Sequence, residues 1–117
     1  MAFAFADDLG PEKVVELYDP AFGLKAIIVV DNTAAGTAIG GTRMAPDVTL
    51  EDCFGLARAM TCKNAAAGLP HGGAKSVIAA DPQMPTAEKE ALIRAFARGL
   101  REIVSYIPGP DMGPNEE

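Results

Sequence analysis

The chain has 117 residues, which is about the length of one domain and enough to bury a modest core. Ten Lys and Arg residues against sixteen Asp and Glu residues give a formal net charge of −6. This balance argues against nucleic acid or an anionic membrane as the general partner, so any site for an anion must be local.

The first ten residues are predicted to form an apolar arm. The opening Met-Ala-Phe-Ala-Phe-Ala has no basic residues before it and meets Asp7 and Asp8 at once. It is therefore too short for a signal peptide or a membrane span. We expect the arm (residues 1–10) to pack against its own core or against a neighbouring subunit, and the sequence leaves both open.

Three extended segments are predicted after the arm. Residues 12–18 are a short strand candidate, and a turn with Pro and Gly leads to residues 24–30, the strongest strand pattern in the chain. The end of this second segment is apolar on both faces, which indicates a strand covered on both sides. After a turn at residues 31–32, residues 36–44 contain paired glycines, which indicate a bulge or a close backbone approach.

A helix is predicted to begin at Thr49, in a sequence similar to a capping box, and to end near Gly68 and Pro70. Residues at helical period form its inward face: Leu50, Cys53, Phe54, Ala57, Met60, Thr61 and Asn64. Cys53 and Cys62 lie nine positions apart on this helix, so neither a disulfide nor a metal-finger site is expected. We predict that both are reduced core residues of a cytoplasmic protein.

The second half of the chain is predicted to contain a strand at residues 76–80, a helix from Thr86 and a short strand at residues 104–107. The inward residues of that helical segment are Leu92, Phe96, Leu100 and Ile103. The order of elements predicts one α/β domain with a mixed parallel/antiparallel sheet flanked by helices. No Gly-x-Gly-x-x-Gly follows a strand, so a Rossmann domain is not expected in these residues.

Residues 60–75 combine a helix end, a glycine-rich loop and two lysines. Lys63 is predicted to lie in the last helical turn, and Lys75 follows the Gly72-Gly73 pair, which permits a close backbone approach. Two ammonium groups that face one cleft suit a carboxylate-bearing substrate. Taken alone, however, Lys63 would be a surface lysine at a helix end, and Lys75 a strand-edge lysine after an ordinary turn.

Four motifs occur together in one order. They are Gly-Gly-Thr-Arg-Met at 40–44, Met-Thr-Cys-Lys-Asn-Ala at 60–65, Gly-Gly-Ala-Lys at 72–75 and Pro-Asp-Met-Gly at 110–113. Over residues 17–115 the chain resembles the N-terminal, substrate-binding and oligomerising domain of the glutamate/leucine/phenylalanine/valine dehydrogenases. The resemblance implies oxidative deamination of an L-amino acid to the 2-keto acid and ammonia, with hydride passed to NAD or NADP.

The resemblance also implies roles for single residues. In the family, the lysine matching Lys63 holds the substrate α-carboxylate, the lysine matching Lys75 acts as general acid/base, and the aspartate matching Asp111 relays protons to and from the amino group. The remaining substrate-binding residues implied in this way are Gly40, Gly41, Met60, Ile39 and Gly109. Taken alone, Asp111 would be a turn residue and Met60 a core residue.

Ile39 bears on which amino acid is the substrate. Glutamate-specific members have a lysine before the Gly-Gly pair, whereas Ile39 is apolar, as in the leucine, valine and phenylalanine enzymes. Because an unpaired buried carboxylate is costly, an apolar substrate is favoured. The sequence at residues 46–50 and 107–113 is more similar to glutamate members, so a glutamate dehydrogenase fragment remains an alternative. Pro114 stands where threonine is expected, which puts the pose of the Asp111 loop in doubt.

A third interpretation is a non-catalytic module that self-associates or binds a small amino acid or 2-keto acid. In each case we expect a homo-oligomer, a dimer or larger, because the arm and the edge strands need cover. The complete enzyme is expected to use NAD or NADP, whereas these residues alone are expected to bind no cofactor, and no metal site is expected. The nucleotide-binding domain would then be lost by truncation or excision, or supplied by a separate chain.

Overall fold

The computed structural model describes residues 3–103 and 105–110. Its strands are β1 (Lys13–Asp19), β2 (Leu24–Asn32), β3 (Ala38–Ala45), β4 (Gly73–Ala79) and β5 (Tyr106–Pro110). Its α-helices are α1 (Leu50–Ala66), between β3 and β4, and α2 (Thr86–Gly99), which continues into a 3₁₀ turn at Leu100–Glu102. The predicted order of strands and helices is confirmed.

The five strands form one mixed sheet in the order β1-β2-β4-β3-β5. β1 pairs with β2, and β2 with β4, in antiparallel register, whereas β3 runs parallel to both β4 and β5. β4 therefore lies at the centre of the sheet, and β1 and β5 lie at its edges.

A helix covers each face of the sheet. On one face, Cys53 and Ala57 of α1 pack with Val29 and Val77. On the other face, the buried residues of α2 are Leu92, Ala95 and Phe96, and they pack with sheet residues that include Ile28. The centre of β2 is buried on both sides, as its apolar pattern predicted.

The boundaries of α1 follow local capping rules. The hydroxyl of Thr49 accepts a hydrogen bond from the backbone N–H of Asp52 at 3.1 Å, as expected of an N-cap. At the other end, Gly68 has a φ of +69°, and the N–H groups of Gly68 and Leu69 donate to the carbonyls of Ala65 and Asn64. This is a Schellman motif, so the predicted helix end is confirmed.

Both glycine pairs mark close backbone approaches, as predicted. A Cβ on Gly73 would lie 2.0 Å from the backbone nitrogen of Thr61, so α1 rests directly on the start of β4. The prediction that β4 begins at residue 76 was therefore wrong, because Gly73 is its first residue. A Cβ on Gly40 would lie 1.5 Å from the carbonyl oxygen of Ala74, so the close approach expected in β3 is confirmed.

The described part of the arm lies on its own chain. The ring of Phe5 stacks on that of Phe54, with 5.3 Å between ring centroids, and the carboxylate of Asp7 pairs with Arg58. Both cysteines are free, as predicted, but only Cys53 is buried, so the expectation of a core position for Cys62 was wrong. Within the described ranges, neither helix has the length and apolarity needed to cross a membrane.

Candidate functional site

Lys63 is exposed in the last turn of α1, where a cation complements the helix dipole. The adjacent Asn64 is buried, and its side-chain amide donates to the carbonyl of Gly72 at 2.7 Å. Because Gly72 immediately precedes β4, Asn64 links the helix end that carries Lys63 to the strand that carries Lys75. The sequence placed Asn64 on the inner face of the helix but gave no partner for it.

Lys75 lies on the central strand and is only 6% exposed. It is therefore not a strand-edge lysine. Val29 lies opposite it on β2, and the thiol of Cys53 donates to its backbone carbonyl at 3.3 Å. Since Val29 and Cys53 belong to the cluster under α1, the side chain of Lys75 lies on the α1 face of the sheet. A lysine is rarely buried to this extent unless it is paired.

The register of the sheet brings several of the predicted substrate-binding residues side by side. Ile39 of β3 pairs with Gly73 of β4, and the same offset places Gly41 beside Lys75. Gly41 also pairs with Gly109 of β5. Ile39 and Gly41 lie on the face of the sheet that α1 covers, whereas Gly40, between them, faces the opposite side.

Of the other predicted site residues, the structure describes Met60 but not Asp111. Met60 lies one helical turn before Lys63 and is half-buried. Asp111, the predicted proton relay, lies outside the described residues, as does Pro114. Among the residues that are described, no group of three or more His, Cys, Asp or Glu side chains is arranged to hold a metal ion.

A buried ionic network, which the sequence did not reveal, anchors the same end of α1. The carboxylate of Asp31 is fully buried and accepts from Arg58 Nε at 2.8 Å and from Thr61 Oγ1 at 2.7 Å. Residues 31–32 were predicted to be a turn, but β2 continues through them because α1 supplies these partners. The helix is thereby fixed to β2 two residues before Lys63.

Arg58 also joins the arm to this network through two hydrogen bonds to the carboxylate of Asp7, at 2.7 and 2.8 Å. The hydrogen bonds from Arg58 hold the pKa of Asp7 well below its usual range. Those to Asp7 and Asp31 in turn raise the pKa of the Arg58 guanidinium. The only signal in the sequence was the spacing of Arg58 and Thr61, which lie three positions apart and so adjoin on one side of a helix.

A chain of hydroxyl groups lies on the other face of the sheet, beneath the Gly40-Gly41 segment. Thr42 Oγ1 and Ser76 Oγ are 2.8 Å apart, and Ser76 Oγ lies 2.9 Å from the hydroxyl of Tyr106. The Tyr106 hydroxyl donates to the carbonyls of Gly40 and Gly41 at 3.1 and 3.3 Å. Burial raises the pKa of Tyr106, so this phenol stays protonated and able to donate.

A cavity of about 420 Å³ opens at the other end of α1, near Arg43 and Val77. Its rim includes the acidic side chains Asp47, Glu51 and Asp52. These charges would repel a carboxylate, so this cavity does not suit the anionic substrate expected from the sequence.

The geometry so far describes one helix end packed on a central strand that carries a buried lysine. The family profile described as "Glu/Leu/Phe/Val dehydrogenase, dimerisation domain" matches residues 11–117. The chain belongs to the Glu/Leu/Phe/Val dehydrogenase family. The family resemblance identified from the four motifs is thereby confirmed.

Named members of the family are similar over nearly the whole chain. Leucine dehydrogenase from Geobacillus stearothermophilus is 43% identical over 116 residues, which cover 95% of this chain and 31% of that protein. Valine dehydrogenase from Streptomyces virginiae is 43% identical over 113 residues, which cover 92% of this chain and 31% of that protein. The chain thus spans about a third of the length of these dehydrogenases.

Solved structures in the family share the fold. L-tryptophan dehydrogenase from Nostoc punctiforme superposes with a TM-score of 0.85 at 32% identity, over 99% of this chain and 35% of that one. The hetero-hexameric glutamate dehydrogenase from Thermus thermophilus gives a TM-score of 0.82 at 37% identity, over 91% and 28%. The mixed sheet flanked by helices is therefore the fold of this family's N-terminal domain, as predicted.

Proposed function

We propose that these residues form the substrate-binding and oligomerising domain of an NAD(P)-dependent L-amino acid dehydrogenase that acts on an apolar amino acid. The observation that carries the proposal is Lys75, a lysine only 6% exposed on the central strand β4, whose start is packed against the end of α1 that carries Lys63. The proposal is also supported by the match of residues 11–117 to the family.

Each of the three polar site residues has its own role in this reaction. Lys63, exposed at the helix end, binds the substrate α-carboxylate through a charge-assisted hydrogen bond. Lys75 takes and returns protons as the imine is hydrolysed to the keto acid and ammonia. Asp111 exchanges protons with the amino group. In the complete enzyme NAD or NADP would supply the hydride acceptor.

The described residues do not themselves fit a dinucleotide. The loops that lead from β3 to α1 and from β4 to α2 span residues 46–49 and 80–85, and neither contains a glycine. A phosphate-binding turn of the Gly-x-Gly-x-x-Gly type has no place in either loop. No step of the proposed reaction is therefore assigned to cofactor contacts by these residues.

The preference for an apolar substrate rests on Ile39. This residue is half-buried on the same face of the sheet as Lys75, where the substrate side chain would approach. A γ-carboxylate placed there would lose water without gaining a cation. Similarity to glutamate dehydrogenases keeps a glutamate substrate as the alternative.

A chimeric enzyme would test the proposal. Residues 11–117 would replace the matching segment of the Geobacillus stearothermophilus leucine dehydrogenase, and NAD-dependent deamination of leucine and of glutamate would be measured. We expect activity that prefers leucine. Lys75→Ala should lower kcat by about 100-fold or more, since general acid–base catalysis contributes about 10²–10⁴. Lys63→Ala should raise KM for leucine by about 10-fold or more, since a charged hydrogen bond is lost.

Lys25→Ala supplies the matched control, because Lys25 is exposed at the start of β2 and pairs with Tyr18 of the edge strand β1. It should leave both constants unchanged. A Lys75→Ala chimera with normal turnover would overturn the catalytic assignment. A folded chimera that binds leucine without turning it over would favour the non-catalytic module, and one that prefers glutamate would favour the alternative substrate.

We also propose that β1 mediates self-association. It is an edge strand that pairs only with β2 within the described sheet, and its Val14 side chain is 42% exposed. Unpaired edges of this kind are ready to pair with another strand, and a second copy of β1 is the simplest partner. The size of the oligomer and the cytoplasmic location stay predictions.

A further inference from the structure

The Gly40-Gly41 segment lies in a gap of the β3–β4 ladder. That ladder pairs Ile39 with Gly73 and next pairs Thr42 with Ser76. On the other side of β3, Gly40 and Gly41 lie opposite Pro108 and Gly109 of β5 in a parallel ladder. A carbonyl oxygen has two lone pairs, so the carbonyls of Gly40 and Gly41 can each accept a hydrogen bond from a side chain as well as from the backbone.

The side chain that donates to both is Tyr106, whose hydroxyl lies 3.1 Å from the Gly40 carbonyl and 3.3 Å from that of Gly41. Its side chain is 6% exposed, so no bulk water competes for the proton. A side chain from the edge strand β5 thus holds the backbone of β3 at the gap in the β3–β4 ladder.

Counting donors fixes the direction of the hydroxyl chain. Tyr106 has one proton, and carbonyl oxygens can only accept, so this proton goes to Gly40 and Gly41. Ser76 must then donate to the oxygen of Tyr106, and Thr42 must donate to Ser76. Each hydroxyl orients the next, and all three residues are buried.

We propose that Tyr106 is a positioning residue for substrate, which holds the Gly40-Gly41 backbone at the α1 face, with Ser76 and Thr42 orienting its hydroxyl. The inference rests on the proposed function, since it assumes that this segment contacts the substrate. Gly41 lies beside Lys75 in the register, so a shift of the segment would change the distance from the bound substrate to the lysine.

The contact itself is tested by NMR on the 117-residue chain. Tyr106→Phe removes one oxygen atom and should move the carbonyl ¹³C resonances of Gly40 and Gly41 upfield. It should also speed amide exchange at residues 40–42 more than in the centre of α1, whereas a general loss of stability would speed both. Tyr18→Phe is the matched control, because Tyr18 is 68% exposed on β1. Unchanged carbonyl resonances in Tyr106→Phe would overturn the proposal.

The consequence for substrate is tested in the chimeric enzyme with leucine. Tyr106→Phe should raise KM about fivefold, the effect of one lost hydrogen bond, with less than about a twofold change in kcat. Thr42→Val, at the far end of the hydroxyl chain, should act in the same direction about twofold, and Thr42→Ser should restore the wild-type KM. Thr86→Val is the control, because Thr86 is exposed at the start of α2.

Failure of the positioning role can be told apart from failure of the proposed function. A wild-type chimera without dehydrogenase activity would refute both claims, and its activity is measured before that of any variant. An active chimera in which Tyr106→Phe moves the carbonyl resonances but leaves KM unchanged overturns the positioning role alone. If Tyr106→Phe fails to fold, the Thr42→Val and Thr42→Ser pair decides, and equal KM values for the two would refute the proposal.

Discussion

Lys63 and Lys75 lie in very different surroundings, although both follow from the same stretch of sequence. Lys63 is exposed at a helix end, whereas Lys75 is 6% exposed on the central strand. A water-exposed ammonium suits capture of a carboxylate from solution, and a buried one suits proton transfer out of reach of bulk water. The division of roles proposed for the two lysines agrees with this difference.

The two cysteines also differ, and this leads to a prediction about their reactivity. Burial raises the pKa of the Cys53 thiol to about 12, from an ordinary value of 9.0, whereas Cys62 is exposed. The thiolate is the reactive form, so Cys53 should be inert at pH 8. Ellman's reagent should titrate about one thiol per native chain, and the second only after unfolding in guanidinium chloride.

Cys62→Ser should abolish the prompt reaction, and Cys53→Ala should leave it unchanged. Prompt reaction of both thiols in the native wild type would contradict the burial of Cys53.

At the scale of elements, α1 is the part that assembles the candidate site. It begins at the Thr49 cap, ends at Gly68, and is tied to the sheet by Asp31 at one point and by Asn64 at another. The salt bridge between Glu90 and Arg94 on α2, at 2.8 Å, is exposed, so its contribution to stability is small.

Replacement by alanine should change the free energy of unfolding in opposite directions at two glycines, one inside α1 and one at its end. Gly68 has a φ of +69°, and Gly55 lies in the helix interior, with no other atom near the position of an added Cβ at either glycine. Gly68→Ala should destabilise the fold by about 1 kcal/mol, because a Cβ disfavours the left-handed conformation. Gly55→Ala should stabilise it by about 1 kcal/mol through helix propensity.

Urea denaturation of the two variants and the wild type would measure both free energies of unfolding. Each glycine serves as the control for the other, since both variants add one methyl group at the same helix. A stabilising Gly68→Ala would argue against the Schellman end of α1.

At the scale of the whole molecule, β1 forms one edge of the sheet. Within the described residues it pairs with β2 on one side, and no strand pairs with its other side. In a two-fold dimer formed through this edge, each strand would meet its own copy. A single added charge on β1 is then duplicated across the interface.

Val14→Lys should therefore weaken self-association, because each copy adds a positive charge to the shared strand edge. Sedimentation equilibrium should give a dimer or larger species for the wild type and a monomer for Val14→Lys. Ala97→Lys, which adds the same charge at an exposed position of α2, should associate like the wild type. A monomeric wild type, or a Val14→Lys variant that associates normally, would refute the role of β1.

Local patterns in the sequence were sufficient to predict most of the helices and strands and part of the candidate site. Thr49 and Gly68 set the limits of α1 by capping within a few residues, and the apolar period identified β2 and both helices. Four short motifs indicated the family, the two lysines and Ile39. Errors arose where a local signal had a distant cause, as when residues 31–32, predicted to be a turn, proved to continue β2, where Arg58 and Thr61 bind Asp31.

The sequence by itself determined the types of the elements, the capped ends of α1 and the membership of the family, because each depends on neighbouring residues. Only the tertiary structure decided that β4 lies between β2 and β3, which buries Lys75. It alone placed Arg58 on Asp31, 27 positions away, and Tyr106 on Gly40, 66 positions away. Such contacts depend on which strands pair and in which register, and these are set by the packing of the whole chain rather than by any local pattern.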